Sequence, residues 1–546
     1  MVFRFKNFIQ NKWTKISLIA IIIVLLLFFG IRYYLSCREQ SKDPLNFLPS
    51  NVFTLIKVND FSNFQSLLIQ NEAWLDFENL FSGDNIRREL KIVDSVLSQN
   101  KDIHNLWHSN QLFISSHFVR EGEFETLFLL QLPHPLHENK VINFLSSNIF
   151  LFEQEASKNS KDNIFKFSFD SIQEPYYLSV KNGVVIFSHS KQLTESALSM
   201  SETQNNIFKD TLFMKLFETC GKDSPANIFV NNQFLYRFAH SVLSEKVLQE
   251  LAFLNYFAQW STFDINANGD KINFTGLTTT NQENSQWLDI FNNSSKQKIS
   301  LVENVPNGTL FFLYLGFDNY EQLRENLSAL SVEARQLNYE EMLDNIDQKT
   351  GISNVKDYIF PYIDKQLMLF SVPNRQMLDR IDNFGLIKIT DEKVVEQKLI
   401  DICISTAQHE RKTVDTVSYR GYKIIQIPSE YVFFDLFGNI FRHLDNTFVT
   451  VFQQSIVIST SKQGLIEYLN TMIAGRSLAN NLLYQEFSQQ LSSDANVFLY
   501  CSPRVLKNKF GSFVNNKYSE LLKNNIDELN NIASLGIQFS RSNQLF

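Results

Sequence analysis

Glycine and proline are scarce in this chain, with 17 and 11 copies among 546 residues. That scarcity disfavours Gly-rich phosphate cradles, collagen-like designs and Pro-rich linkers. Cysteine numbers four, too few to staple so long a chain into a disulfide scaffold. Positive charge has no surplus either: 50 Lys and Arg stand against 58 Asp and Glu, a formal net charge of −8. Without excess cations to displace counterions from a phosphate backbone, nucleic acid is excluded as a generic partner. No G-x-S-x-G, P-loop, H-E-x-x-H or dinucleotide fingerprint occurs.

Apolar material is abundant. Hydrophobic residues make up 44% of the chain and phenylalanine alone contributes 51 copies, enough to pack two or three domains. Near the N-terminus, Ile16 to Ile31 is an uncharged run that Tyr33, Tyr34 and Leu35 extend to bilayer-spanning length. Arg32 sits near its end, where its side chain can snorkel. Arg4, Lys6, Lys12 and Lys15 precede the run with no acidic residue among them, which places the N-terminus in the cytoplasm by the positive-inside rule. The expectation is a cytoplasmic basic segment over 1–15, a single inner-membrane span over 16–35 and a linker over 36–46, with the bulk of the chain periplasmic. A cleaved signal peptide fits less well, because no small-x-small site follows the run. Cys37, after Tyr34-Leu35-Ser36, is a poor lipidation site for want of a small aliphatic residue before it.

Beyond the anchor the chain repeats itself. Ser224, Ala226, Asn227, Ile228 and Phe229 return as Ser493, Ala495, Asn496, Val497 and Phe498, an offset of 269. Val185 to Gln192 returns as Ile456 to Gln463, an offset of 271. Leu48-Pro49 before Val52 to Val58 is matched by Val305-Pro306 before Leu310 to Leu315, an offset of about 257 that loop insertions explain. A unit of about 250 residues far exceeds solenoid periods, so each copy is expected to carry its own core, over 47–290 and 300–546. Cys220, Cys403 and Cys501 fall at non-equivalent places in the two copies, so no bridge belongs to the repeated design.

Each copy opens with a strand and a capped helix. Asp60 or Asp318 is the expected cap, with Glu321 completing a capping box. The stripes Phe61, Phe64, Leu67, Leu68 and Tyr320, Leu323, Leu327, Leu330 have helical spacing and read as core. Strand pairs are expected at Gln111 to Phe118 with Glu125 to Leu130, and at Gln366 to Val372 with Phe384 to Ile389. Helices follow near Glu138 to Leu145 and Asp391 to Ile402. A hairpin turning at Asn182-Gly183 comes next. Strands paired by turns, with helices between the pairs, define an α+β fold with mainly antiparallel sheets. The first copy closes on the hairpin Ser261 to Ile265 with Lys271 to Thr279, turning at Asn268-Gly269. The second reaches Leu535 to Phe539, turns at Arg541-Ser542-Asn543 and stops at Phe546. Either the sequence is cut short there or its last strand is lost, or another chain supplies that strand by strand addition.

Ser188 to Lys191 and Ser459 to Lys462 fit S-x-x-K, and Lys349-Thr350-Gly351 spells K-T-G, the elements of a serine acyl-transferase resembling the penicillin-binding fold. That chemistry needs serine and lysine one turn apart at the start of a buried helix. Here both serines end strands, Ser190 and Ser461 read as N-caps, Lys349 to Gly351 reads as a helix stop and S-D-N is absent. His104 and His108 are spaced i, i+4 with His117, His134 and His137 nearby, a pattern that would suit zinc on one helix face. Trp107 between them and the strand that follows favour ordinary packing histidines. Glu121, Glu123 and Glu125 alternate along a hairpin as a solvated face. Leu251 to Phe257 and Tyr431 to Phe441 are aromatic runs that read as core, with an apolar groove as the competing use. No catalytic, cofactor-binding or metal residue is assigned.

The anchor, the Pro-then-strand opening, the S-x-A-N-aromatic strand and the closing hairpin together resemble a family of bacterial single-span envelope proteins catalogued only as a domain of unknown function. The resemblance implies location and architecture and carries no catalytic residues. The expected function is non-enzymatic and depends on contacts with an envelope protein partner, as scaffold, translocation accessory or chaperone-like factor. A binding module for lipid or another apolar ligand is the alternative.

Overall fold

The computed structural model describes residues 41–546 apart from 82–93, 96–100, 102–103, 106–107, 109, 121–122, 135–136, 149–150, 156, 158–161, 169–173, 204–205, 282, 284, 331–337, 375, 378–379, 445–446 and 543–544. The fold is mixed α+β, and its recorded strand pairings are antiparallel. The expected span over 16–35 lies outside the described residues, and no described helix is long and apolar enough to cross a membrane. Contacts divide the chain into two compact units. Unit 1 comprises Met1–Ser62, Arg88–Val119 and Phe124–Lys209; unit 2 comprises Asn63–Arg87, Arg120–Glu123 and Asp210–Phe546. This partition follows contacts, and it differs from the repeat boundaries read from the sequence.

Unit 1 holds β1 (Val52–Val58), β2 (Leu112–Arg120) and β3 (Glu123–Gln131) save for their tip residues Arg120 and Glu123, β4 (Leu151–Glu155), β5 (Ile164–Ser168), β6 (Tyr176–Lys181) and β7 (Val184–Ser188), in the order β1-β2-β3-β7-β6-β5-β4. The turn between β6 and β7 is the expected Asn182-Gly183, both at positive φ (53° and 76°). That geometry matches the strand twist, which fixes Tyr177 opposite Ser188. Val184 to Ser188 is buried at every position, as a strand covered on both faces must be.

Unit 2 holds β8 (Ala226–Asn231), β9 (Trp260–Asn268) and β10 (Lys271–Thr279) as one antiparallel run. The turn between β9 and β10 places Gly269 and Asp270 at its centre, one residue later than the sequence pattern indicates, because Asn268 pairs with Lys271. After the short β11 (Gln297–Lys298) come β12 (Phe311–Gly316), β13 (Ile363–Pro373), β14 (Ile381–Ile389), β15 (Thr416–Tyr419), β16 (Tyr422–Gln426), β17 (Phe448–Phe452) and β18 (Ser455–Ser459). These run β12-β13-β14-β18-β17-β16-β15, the order seen in unit 1. β19 (Asp494–Ala495) pairs with β11, while β20 (Val497–Cys501) and β21 (Leu535–Phe539) complete the nine-stranded sheet beside β12.

Register repeats along with order. Leu127 faces Ser188 between β3 and β7, and Phe384 faces Ser459 between β14 and β18. The turn between β17 and β18 is Gln453-Gln454, also at positive φ (45° and 54°). Glutamine carries no turn signal of its own, so here the paired strands hold the backbone in that region.

The nine-stranded sheet separates two apolar layers. Leu315, Leu367, Ile387, Ile456 and Val497 face one, while Phe312, Phe370, Phe384, Val457 and Phe498 face the other. The runs Leu251 to Phe257 and Tyr431 to Phe441 supply the first layer with Phe257, Phe433, Leu436, Phe437 and Phe441, so their buried members are core. Both helical stripes are buried as well. The cap of helix Tyr320–Ala329 is a correction: Asn319 accepts from the Gln322 N–H, while Asp318 accepts from the Ser295 N–H and from Gln297 Nε2. Asp318 is therefore spent on the segment before β12.

Candidate functional site

The S-x-x-K motifs fold as N-caps with strand ends. Ser190 and Ser461 accept from the backbone N–H of Leu193 and Gly464. Ser188 and Ser459, both fully buried, accept from the N–H of Ser190 and Ser461. Their lysines reach carboxylates, Lys191 to Glu155 at 3.0 Å and Lys462 to Asp415 at 3.3 Å. The two copies make the same set of bonds, which marks this corner as structural. Lys349 pairs with Asp435 at 2.6 Å, and Gly351 ends its helix at φ 65°. Burial pushes the Cys403 thiol up to about 12 and the Cys501 thiol up to about 11, so both stay protonated at neutral pH.

The five histidines from His104 to His137 divide into three environments. His117 is fully buried in β2, with Ser115 Oγ 2.9 Å from its Nε2 and Asn51 Oδ1 3.1 Å from its Nδ1. Burial lowers its pKa to about 3, so it is a neutral core residue. The Nδ1 of His137 lies 3.2 Å from the His134 carbonyl. His104 and His108 come together, with ring centroids 4.1 Å apart, beside Asp94. The Asp94 Oδ1 lies 3.0 Å from His108 Nε2 and 3.9 Å from His104 Nε2. Asp94 was not legible as a partner, because ten residues separate it from His104 and nothing local links them. Of the alternating carboxylates, Glu121 lies outside the described residues and Glu123 is exposed.

Two surfaces of unit 2 remain. A cavity of about 410 Å³ is lined by Asn293, Asp318, Glu321, Glu325 and other polar side chains, with Ile290 and Leu323 its apolar members. Its chemistry suits water and polar groups better than acyl chains. The second surface is the end of the nine-stranded sheet. Leu315, Val497 and Phe539 form a buried row across β12, β20 and β21, whereas in the next row Leu313 is partly buried against the core and Leu499 and Ile537 open to solvent. Leu499 is 40% exposed, Ile537 38% and Leu535 48%. β21 is the outermost strand there, and Phe546, beyond it, pairs with Thr278 of β10 instead of returning along β21. An apolar face beside an uncovered strand edge is a place where another chain can add.

The geometry defines an α+β protein with a repeated seven-strand order and no assembled catalytic constellation among the described residues. No protein-family model, curated protein or solved structure matches the chain.

Proposed function

We propose that the chain is a membrane-anchored extracytoplasmic protein that works through protein contacts, as scaffold, translocation accessory or chaperone-like factor, and not through catalysis. On this reading residues 16–35 anchor it in the inner membrane, and the rest is two homologous lobes produced by duplication of one α+β module. The repeated strand order, the matched registers of the β6–β7 and β17–β18 hairpins and the shared Ser-Lys corners support the duplication. The resemblance to single-span envelope proteins of unknown function belongs to the same proposal.

The observation that carries the contact reading is the open end of β20 and β21. Its occupant is an extended protein segment, added antiparallel to the outer edge of β21, with apolar side chains at alternate positions over Leu499, Ile537 and Leu535. The chain itself supplies the template, since β9 stands where β21 stands in the repeat and carries β10 along that edge. A photo-crosslinker placed at residue 499 or 537 of the full chain in native membranes tests this. Capture of the same protein from both positions, with capture from position 499 lost in Ile537→Lys, is the expected result. Capture of lipid from both positions would favour the apolar-ligand reading, and no capture from either would end the contact reading.

A further inference from the structure

We propose that Asp94, His104 and His108 form a divalent transition-metal site, with zinc the best-fitting ion. Both histidines have helical backbone, and their rings lie against each other with centroids 4.1 Å apart. One donor atom from each of the three side chains lies within 4.8 Å of the others. Zinc bonds of about 2.0–2.2 Å to imidazole nitrogen and carboxylate oxygen require donors roughly 3.3 Å apart on a tetrahedron. The 3.0 Å and 3.9 Å separations from Asp94 Oδ1 bracket that spacing, so closure needs side-chain rotations and no backbone rearrangement.

The surroundings favour the ion in two further ways. The far nitrogen of His108, Nδ1, lies 3.4 Å from Ser62 Oγ, and Phe61 packs edge-on against the same ring at 4.8 Å. An outer partner on one ring nitrogen orients the imidazole and leaves the other for a metal, as metal-binding histidines usually require. The three side chains are also neither sealed nor fully exposed, at 36%, 18% and 27% exposure for His104, His108 and Asp94, which gives an ion a path in. Two neutral imidazoles and one carboxylate leave a net single positive charge on a zinc complex and one position for water or an incoming donor. Nothing in this site depends on the sheet end where a protein partner is proposed.

The test uses the purified full chain, stripped with a chelator and titrated with Zn²⁺ alone by calorimetry, and with Co²⁺ followed by its visible d–d absorption. The wild type is expected to take one Zn²⁺ per chain and to give the intense band of tetrahedral Co²⁺. Asp94→Asn should weaken binding at least about tenfold, Ser62→Ala by about tenfold as an orienting residue, and His104→Ala/His108→Ala should abolish both signals. His134→Ala should bind like the wild type. Zn²⁺ should raise the melting temperature of the wild type and leave the double variant at its own metal-free melting temperature. Should the double variant fail to fold, His104→Gln alone gives the same reading. A wild type that takes up no metal, or a variant lacking both imidazoles that takes up as much, overturns the site.

Discussion

The run β8-β9-β10 and the pair β20-β21 begin with the same Ala-Asn-aromatic string and end differently. Asn227 donates to the Gly221 carbonyl and to Asp264, and Asn496 donates to the Gly316 and Ser295 carbonyls, so both asparagines tie their strand to a neighbouring loop. From there the two diverge. Ser261 of β9 is buried among Asn232 and Thr278, a polar network that needs β10 to complete it. The equivalent of Ser261 in β21 is Ile537, apolar and open to solvent, with no strand on its outer side among the described residues. One end is closed by hydrogen bonds to a following strand; the other presents an apolar face beside an edge that no described strand pairs. The shared seven-strand order thus coexists with different chemistry in the strands beside it, polar and paired at β9 and apolar at β21.

The neighbouring position makes the same point through volume. Trp260 of β9 is buried, donates from Nε1 to Asp210 and packs on Phe213 at 5.0 Å. Its counterpart in β21 is Gly536, where an added Cβ would come within 2.6 Å of the Phe487 ring. In one copy a strand tryptophan adds to the aromatic side chains of helix Thr211–Thr219; in the other Phe487 of helix Leu482–Ser488 packs over a strand glycine.

These differences order the expected effects. Trp260→Ala should cost about 3–5 kcal/mol in denaturant unfolding, since it opens a cavity and removes the donor to Asp210 Oδ2; a loss below about 1 kcal/mol would mean that β9 is not built around this ring. The next effect concerns acid. His117 in β2 is neutral and buried, and its counterpart in β13 is Val372. Because its folded pKa of about 3 lies below the unfolded value near 6.5, the unfolded chain binds the extra proton. Stability from this group is therefore full above pH 6.5 and falls as pH drops toward 3, by up to about 1.4 kcal/mol per unit. Unfolding of His117→Val followed from pH 7 to 4.5 should show a shallower decline than wild type, and parallel curves would count against this burial. Gly536→Ala should cost about 1–3 kcal/mol by overpacking against Phe487 and Phe498. Ile537→Lys should change stability by less than about 0.5 kcal/mol, as expected of an exposed position, while removing partner capture.

The elements themselves were legible because their signals are local. Asn182-Gly183 fixed a turn, the stripes of Phe61 and Tyr320 fixed helix faces, and Ser190 and Ser461 announced themselves as caps. Where the reading missed, a longer-range demand intervened. Asp318 was drawn off to Ser295 and Gln297, leaving the cap to Asn319. The Gln453-Gln454 turn is imposed by the pairing of β17 with β18. The pair His104 and His108 was visible as a spacing, but Asp94 and Ser62 reach them only through the fold.

What the sequence by itself determined is the α+β class, the strand and helix positions and the doubled order of elements, because periodicity, turn chemistry and repeated strings act over a few residues at a time. Which strand lies outermost, which apolar side chains stay in water and which carboxylate meets the two histidines were decided by tertiary structure. Those outcomes depend on contacts between residues tens of positions apart, and no local pattern records them.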